Sequence, residues 1–379
     1  MHVAQVILSK TRSEVSELAS LAAISPQLVL AFGSVRALKE WAETLAQTFG
    51  STHRAGCSTA GEISNQGVSD DSLVVTAIAF DACRVSQVST ELHSMEDSHA
   101  AGRRLALGLD AQGLRGILVF GQGVHINGSA VLAGMTEIAG SGVPITGGLA
   151  GDGGAFAQTW VLDDRGVSST RLVCIGLYGQ ALRLSHGSFG GWSPFGPARK
   201  VTRCANNVLY ELDGESALAV YKRYLGEHAM GLPASGLLFP FAMLGQDQHE
   251  LGLTRTILGV NEADGSLTLA GDIDAQGYLR LMHASTDALV GGAETAAEMT
   301  RDMLAGDAQG LAVLVSCVGR KLVMGGRVGE EIDVVADVFG PHATLAGFYS
   351  NGEISPCAQA SDCKLHNQTM TITYLSEAT

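Results

Sequence analysis

AGCSTAGEIS at residues 55–64 and AGFYSNGEIS at residues 346–355 open with the same AG and close with the same GEIS, although they lie far apart in the chain. Each ends a stretch built to one plan: an apolar strand, a helix, and a short strand running into a Gly-rich loop. The first stretch runs from QLVLAFGS to AGCSTAGEIS (27–64), and the last from GLAVLVSC to AGFYSNGEIS (310–355). A copy between them runs from GILVFGQG to ITGGLAGDGG (116–154). The string DAQGL recurs at 110–114 and 307–311, at the entry of the second and third copies. Echoes that keep the same order mark an internal repeat.

Working outward, short runs rich in β-branched residues predict strands at 27–33, 72–80, 116–121, 171–179, 310–317 and 369–375. Helical spacing joins Leu38, Trp41, Leu45 and Phe49. It also joins Leu132, Met135 and Ile138, and Val328, Ile332, Val335 and Val338. The expectation is an α/β fold of two related domains, with mixed β-sheets covered by helices and internally repeated strand–helix–strand–Gly-loop modules. The stretch HGSFGGWSPFGPARKV (186–201) has glycines, two prolines and little periodicity, which puts the domains at 1–195 and 198–379. Its Trp and two Phe predict a segment packed between the halves.

Composition narrows the function. At 46% hydrophobic and 16% charged residues, the 379-residue chain can bury large cores. A formal net charge of −14 argues against a nucleic-acid or anionic-membrane partner, since both select a basic footprint. The N-terminus has no secretory pattern, and no run reaches the roughly 18 apolar residues of a membrane helix. Seven Cys without a C-x-x-C pair fit a reduced, cytoplasmic chain, with Cys83, Cys174 and Cys317 as small buried hydrophobes.

The repeated loops carry the first candidates. Glycines leave backbone N–H groups uncovered, and such loops after a strand can hold anions. The small side chains of Ser58, Thr59, Ser350 and Asn351 would leave room for a ligand. Glu62 and Glu353 stand at equivalent places, with Asp152 similarly placed in the second copy, and could fix polar groups; equally, the glycines make turns and the acids cap helices or pair with Arg. Cys57, in a Gly-rich turn, is a weak candidate nucleophile near His53, set against a structural Cys. Cys357, Cys363 and His366 fit no zinc spacing, so no structural zinc is expected. His366 and Asn367, at a strand entry facing the GEIS loop, suit ligand binding or a core-edge role. His125 and His283 follow apolar runs. No P-loop, dinucleotide fingerprint, H-E-x-x-H or G-x-S-x-G occurs, so no nucleotide cofactor is expected. The absence of C-x-x-C-H excludes covalent haem and leaves non-covalent haem open.

GCSTAGEI (56–63), GGLAGD (147–152), NVLYELDGESALAVYKRYLG (207–226), TRTILGV (254–260), FYSNGEISP (348–356) and LHNQTMT (365–371) resemble the FIST family. Its N-terminal domain would cover about 28–195 and its C-terminal domain about 198–375. The resemblance implies a signal-transduction sensor of a small ligand, and Arg255 inside TRTILGV joins the binding candidates. One stand-alone branch of similar length binds haem non-covalently, senses nitric oxide and regulates a partner histidine kinase. For haem the candidate axial ligands are His366, His283 and His125. The alternatives are a sensor of an amino acid or other small polar metabolite, and an enzyme using Cys57.

Overall fold

The computed structural model describes residues 1–9, 15–304, 309–357 and 363–378. The first copy of the repeat comprises β1 (His2–Leu8), α1 (Val15–Ala22), β2 (Leu28–Gly33), α2 (Val35–Phe49), β3 (His53–Ser58), β4 (Glu62–Ser64), β5 (Gly67–Ser69) and β6 (Leu73–Ala79). The second has the same order: β7 (Arg84–Glu91), α3 (Ser98–Leu107), β8 (Leu114–Gly121), α4 (Gly128–Ala139), β9 (Ile145–Leu149), β10 (Val161–Asp163), β11 (Gly166–Ser168) and β12 (Arg171–Tyr178).

The third copy begins with β13 (Leu182–Phe189) and is then interrupted. An insert follows: β14 (Ser193–Ala205), β15 (Val208–Leu212), β16 (Glu215–Ser216), α5 (Ala217–Leu225), β17 (Phe241–Leu244), β18 (Glu250–Arg255), β19 (Ile257–Asn261), β20 (Ser266–Leu269) and β21 (Tyr278–His283). The copy resumes with α6 (Thr286–Asp302), β22 (Gly310–Cys317), α7 (Val318–Met324), α8 (Glu330–Phe339), β23 (Ala343–Ser350), β24 (Gly352–Pro356), β25 (Cys363–His366) and β26 (Met370–Glu377).

Each copy forms a sheet, and each sheet borrows a hairpin. The orders are β1-β6-β2-β3-β10-β11, β7-β12-β8-β9-β24-β25 and β13-β26-β22-β23-β4-β5. The hairpin arm of the first copy thus pairs with the third (Ser64 opposite Ala346), that of the second with the first (Val161 opposite Cys57), and that of the third with the second (Ile354 opposite Gly147). The exchange is cyclic. The inner faces of the three sheets meet in one core that includes Leu30, Phe32, Leu118, Phe120, Val313 and Phe348. Helices α1 and α2, α3 and α4, and α6 to α8 cover the outer faces.

One glycine per copy makes the central crossing possible. Gly56, Gly147 and Gly347 sit opposite Ala31, Val119 and Leu314 in parallel pairs. A Cβ at these glycines would stand 1.8, 2.1 and 1.8 Å from the carbonyl oxygens of those partners. No side chain fits there, so the echoed glycines mark the repeat for a packing reason.

The fold is α/β, with mixed sheets and helices on their outer faces. The expected strands fall on β2, β6, β8, β12, β22 and β26, and the helical stripes on α2, α4 and α8, with Val328 just ahead of the last. The expected break between residues 195 and 198 lies inside β14, where the insert begins. Residues 1–195 and 198–379 share two of the three repeat sheets, because β13 pairs with β26 along its length and the arms of the first and third copies cross between the parts, while the sheet β1-β6-β2-β3-β10-β11 lies within 1–195. Trp192 Nε1 donates to the Gln368 carbonyl at 2.7 Å, which anchors the Gly-rich segment against the last copy.

Candidate functional site

The Gly-rich loops do converge, at the ends of the parallel strands. They meet by bonding to one another. Ala60 N–H donates to the Tyr349 carbonyl (2.8 Å), Gly151 N–H to the Ser58 carbonyl (2.8 Å), and Asn351 N–H to the Leu149 carbonyl (3.1 Å). These are equivalent positions, so the three bonds close a ring. Phe32, Phe120 and Phe348 fill the axis beneath it, with ring centroids 4.8 to 6.1 Å apart. Donors spent on neighbouring loops are not available to an anion.

The candidate side chains here are tied into the same closure. Glu62 accepts from Thr59 Oγ1 (2.5 Å) and from the N–H and hydroxyl of Ser72 (3.1 and 2.8 Å). Glu353 repeats the arrangement with Ser350 Oγ (2.7 Å) and with the N–H and hydroxyl of Thr369 (both 3.1 Å). Each glutamate clamps the base of its arm. Burial raises both carboxyls, Glu353 to about 8. Ser58 Oγ donates to the Gly151 carbonyl (2.6 Å). Asp152 is not their counterpart: it comes five residues after Gly147, where the glutamates come six after Gly56 and Gly347. Its carboxylate caps its own loop, accepting from the N–H groups of Phe156, Ala157 and Gln158.

Cys57 lies fully buried in the central core, and desolvation pushes its thiol well above the ordinary range. That environment suppresses the thiolate, which corrects the picture of an exposed turn cysteine. Cys174 and Cys317 are buried, and Cys83 is half-buried. Cys363 and His366 are three apart on β25, so they point to opposite faces.

His366 is buried. Its Nε2 lies 3.0 Å from the Ser355 carbonyl, its Nδ1 has no partner among the described residues, and desolvation lowers the imidazole to about 4, so it is neutral. Asn367 is buried beside it with Oδ1 unpartnered. His125 and His283 are exposed, the latter edge-on to Phe195. An axial haem ligand needs an imidazole nitrogen facing an apolar slot. His366 Nδ1 is enclosed by protein and His125 and His283 face solvent, so as placed none offers iron a nitrogen in an apolar slot, and these residues do not fit haem.

A cavity of ligand size lies elsewhere. About 590 Å³ in volume, it opens between α4, the arm β24–β25 and the insert. Leu132, Leu253 and Leu365 supply apolar wall, and the polar lining includes Ser129, Arg255 and Asp272 together with Glu137 and Lys364. Arg255 is 4% exposed. Its Nε donates to the Asp272 carbonyl and its Nη1 to the carbonyls of Thr254 and Leu365, each at 3.1 Å. Among the described residues no carboxylate pairs with this guanidinium; the Asp272 carboxylate takes the Asn127 amide at 3.2 Å instead. Burial lowers Arg255 to about 10, so it stays charged at neutral pH. A Cβ on Gly271 would lie 2.9 Å from Arg255 Nε and 3.3 Å from Ser129 Oγ, a hydroxyl without a partner. Of the candidate residues, only Arg255 reaches this cavity. Of its other lining residues, Leu132 falls in a helical stripe and Leu365 opens LHNQTMT, but none carries a pattern that marks a ligand contact.

The architecture is that of a repeat-built α/β protein with a ligand-sized cavity at the edge of an insert. The FIST N domain matches residues 27–215 and the FIST C domain residues 217–356, and the chain belongs to the FIST family. FIST domains are signal-transduction sensor domains that bind small ligands. No curated protein matches the chain. Two solved structures of cyanuric acid hydrolase, one from A. caulinodans, align with 100% of this chain and 99% of their own at 9% identity, with a TM-score of 0.38. No helix among the described residues is long and apolar enough to cross a membrane.

Proposed function

We propose that this protein senses a small carboxylate metabolite, an amino acid included, bound in the 590 Å³ cavity with its carboxylate on Arg255 and Ser129. The observation that carries the reading is a buried guanidinium that only carbonyl oxygens satisfy, in a chain with 38 acidic residues to 24 basic ones. A buried charge is normally paired, and a ligand carboxylate completes the set through charge-assisted bonds. The three leucines then take the ligand's apolar body. The signal passes to a separate protein, and the family resemblance makes a sensor histidine kinase the partner to try first.

Native mass spectrometry and calorimetry with L-leucine and 4-methylpentanoate test the reading. Binding of either, with no binding of 4-methylpentanamide, is expected. Equal binding of acid and amide would contradict the role of Arg255. Adding haem in the same series separates the competing reading. A Soret band that disappears in His366→Ala would favour a haem-bound nitric-oxide sensor over a carboxylate sensor.

A further inference from the structure

The cavity is also a seam. The insert has its own apolar core, drawn from residues 201–281 and including Leu209, Tyr221, Phe241, Leu267 and Leu281. Among the described residues, the hydrogen bonds that join it to the barrel come from three side chains. Arg255 Nη1 reaches the Leu365 carbonyl of the third copy's arm (3.1 Å). Asn127 Nδ2, at the cap of α4, reaches Asp272 Oδ1 (3.2 Å). Gln368 Nε2 reaches the Leu237 carbonyl (3.0 Å) and Thr256 Oγ1 (3.1 Å).

Arg255, Asp272 and Leu365 all line the cavity. One wall belongs to α4, one to the exchanged arm and one to the insert, so a ligand there touches three bodies. Gln368 is the tie outside it. Its amide holds the short turn Ala234–Leu238, and that turn packs on α7.

Building on the carboxylate-sensor reading, we infer that ligand in this seam sets how the insert docks on the barrel, with residues 193–283 as the moving output element. A ligand can shift a docking equilibrium only through contacts that differ between the two arrangements. Such contacts exist here. The ligand's carboxylate meets Arg255 of the insert and Ser129 of α4 together only when the seam is closed, and its apolar body is buried from water on both sides only then. Ligand therefore closes the seam. Closure tightens the Gln368 tie and the packing of Ala234–Leu238 on α7, neither of which touches the ligand.

Hydrogen exchange on the full chain, with 4-methylpentanoate as probe and calorimetry run alongside, tests this. Binding should slow exchange about fivefold or more in 234–238 and 318–324, as expected for coupling between separate sites. Binding with protection confined to 129–133, 251–255 and 363–365 would overturn the docking proposal and leave the ligand reading standing. No binding would overturn the ligand reading and the proposal with it. In unliganded Gln368→Ala, exchange in 234–238 should rise while α2 stays unchanged. Unchanged exchange in 234–238 would show that Gln368 is no tie and would overturn the proposal independently.

Discussion

Two regions of this molecule invite a functional reading, and they differ in kind. The ring of Gly-rich loops is conspicuous in sequence, lies on the repeat's axis and closes on itself through its backbone donors. The seam beside Arg255 is inconspicuous in sequence, lies off the axis and leaves a buried guanidinium with no direct ion pair among the described residues. Repetition favours closure: three equivalent loops each offer a donor and an acceptor, and the bonds run round the ring. The insert breaks the repeat, and the cavity opens where it does. In this chain the echoed letters report how the three sheets are tied, and the unique segment walls the cavity proposed for the ligand.

The sharpest way to break the comparison is at the ring. Gly56→Ala or Gly347→Ala puts a Cβ about 1.8 Å from a strand carbonyl, which should cost about 4 kcal/mol or more and leave little folded protein. Circular dichroism melts would show it; near-normal stability would mean that β2 and β3, or β22 and β23, do not pack as closely as described. Next in size is the seam. Arg255→Gln should weaken carboxylate binding about 30-fold, the scale of a hydrogen bond to a charged group.

The third effect is a pH slope. Glu353, raised by burial from 4.5 to about 8, keeps its proton in the fold where the unfolded chain releases it. Its contribution is complete below pH 4.5 and is lost as the pH climbs through about 8. His366, lowered from 6.5 to about 4, acts in the opposite sense, with its contribution lost as the pH falls from 6.5 through 4. The two oppose each other between pH 4.5 and 6.5. From 6.5 to 8 Glu353 acts alone of the pair, and stability should fall by about 2 kcal/mol. Glu62, raised in the same sense, adds to the decline that begins above its ordinary pKa of 4.5. Urea unfolding across this range should show the fall in the wild type and a flatter profile in Glu353→Gln. The smallest effect is Thr59→Ala, which removes the Glu62 contact for about 1 kcal/mol and should leave ligand affinity untouched.

The core strands and three outer helices were legible because period and β-branched content are local properties. The exchange of arms was not, because Ser64 pairs with Ala346 and nothing near either residue announces the other. One signal went unused: G-V-S occurs at both 67–69 and 166–168, and these are β5 and β11, the outer strands of two arms. Glu62 and Glu353 were correctly read as equivalent. Their role as clamps depends on Ser72 and Thr369, which lie beyond the echo. Arg255 was picked out within a family-like string, but its partners Leu365 and Asp272 come from separate elements, and no spacing rule joins them.

The central claim is that the ligand sits in the seam and not in the ring. It is tested most directly by titrating 4-methylpentanoate calorimetrically into Arg255→Gln and Thr59→Ala side by side with the wild type. The account predicts that Thr59→Ala binds like the wild type and that Arg255→Gln loses about 30-fold. Binding lost in Thr59→Ala and kept in Arg255→Gln would contradict it.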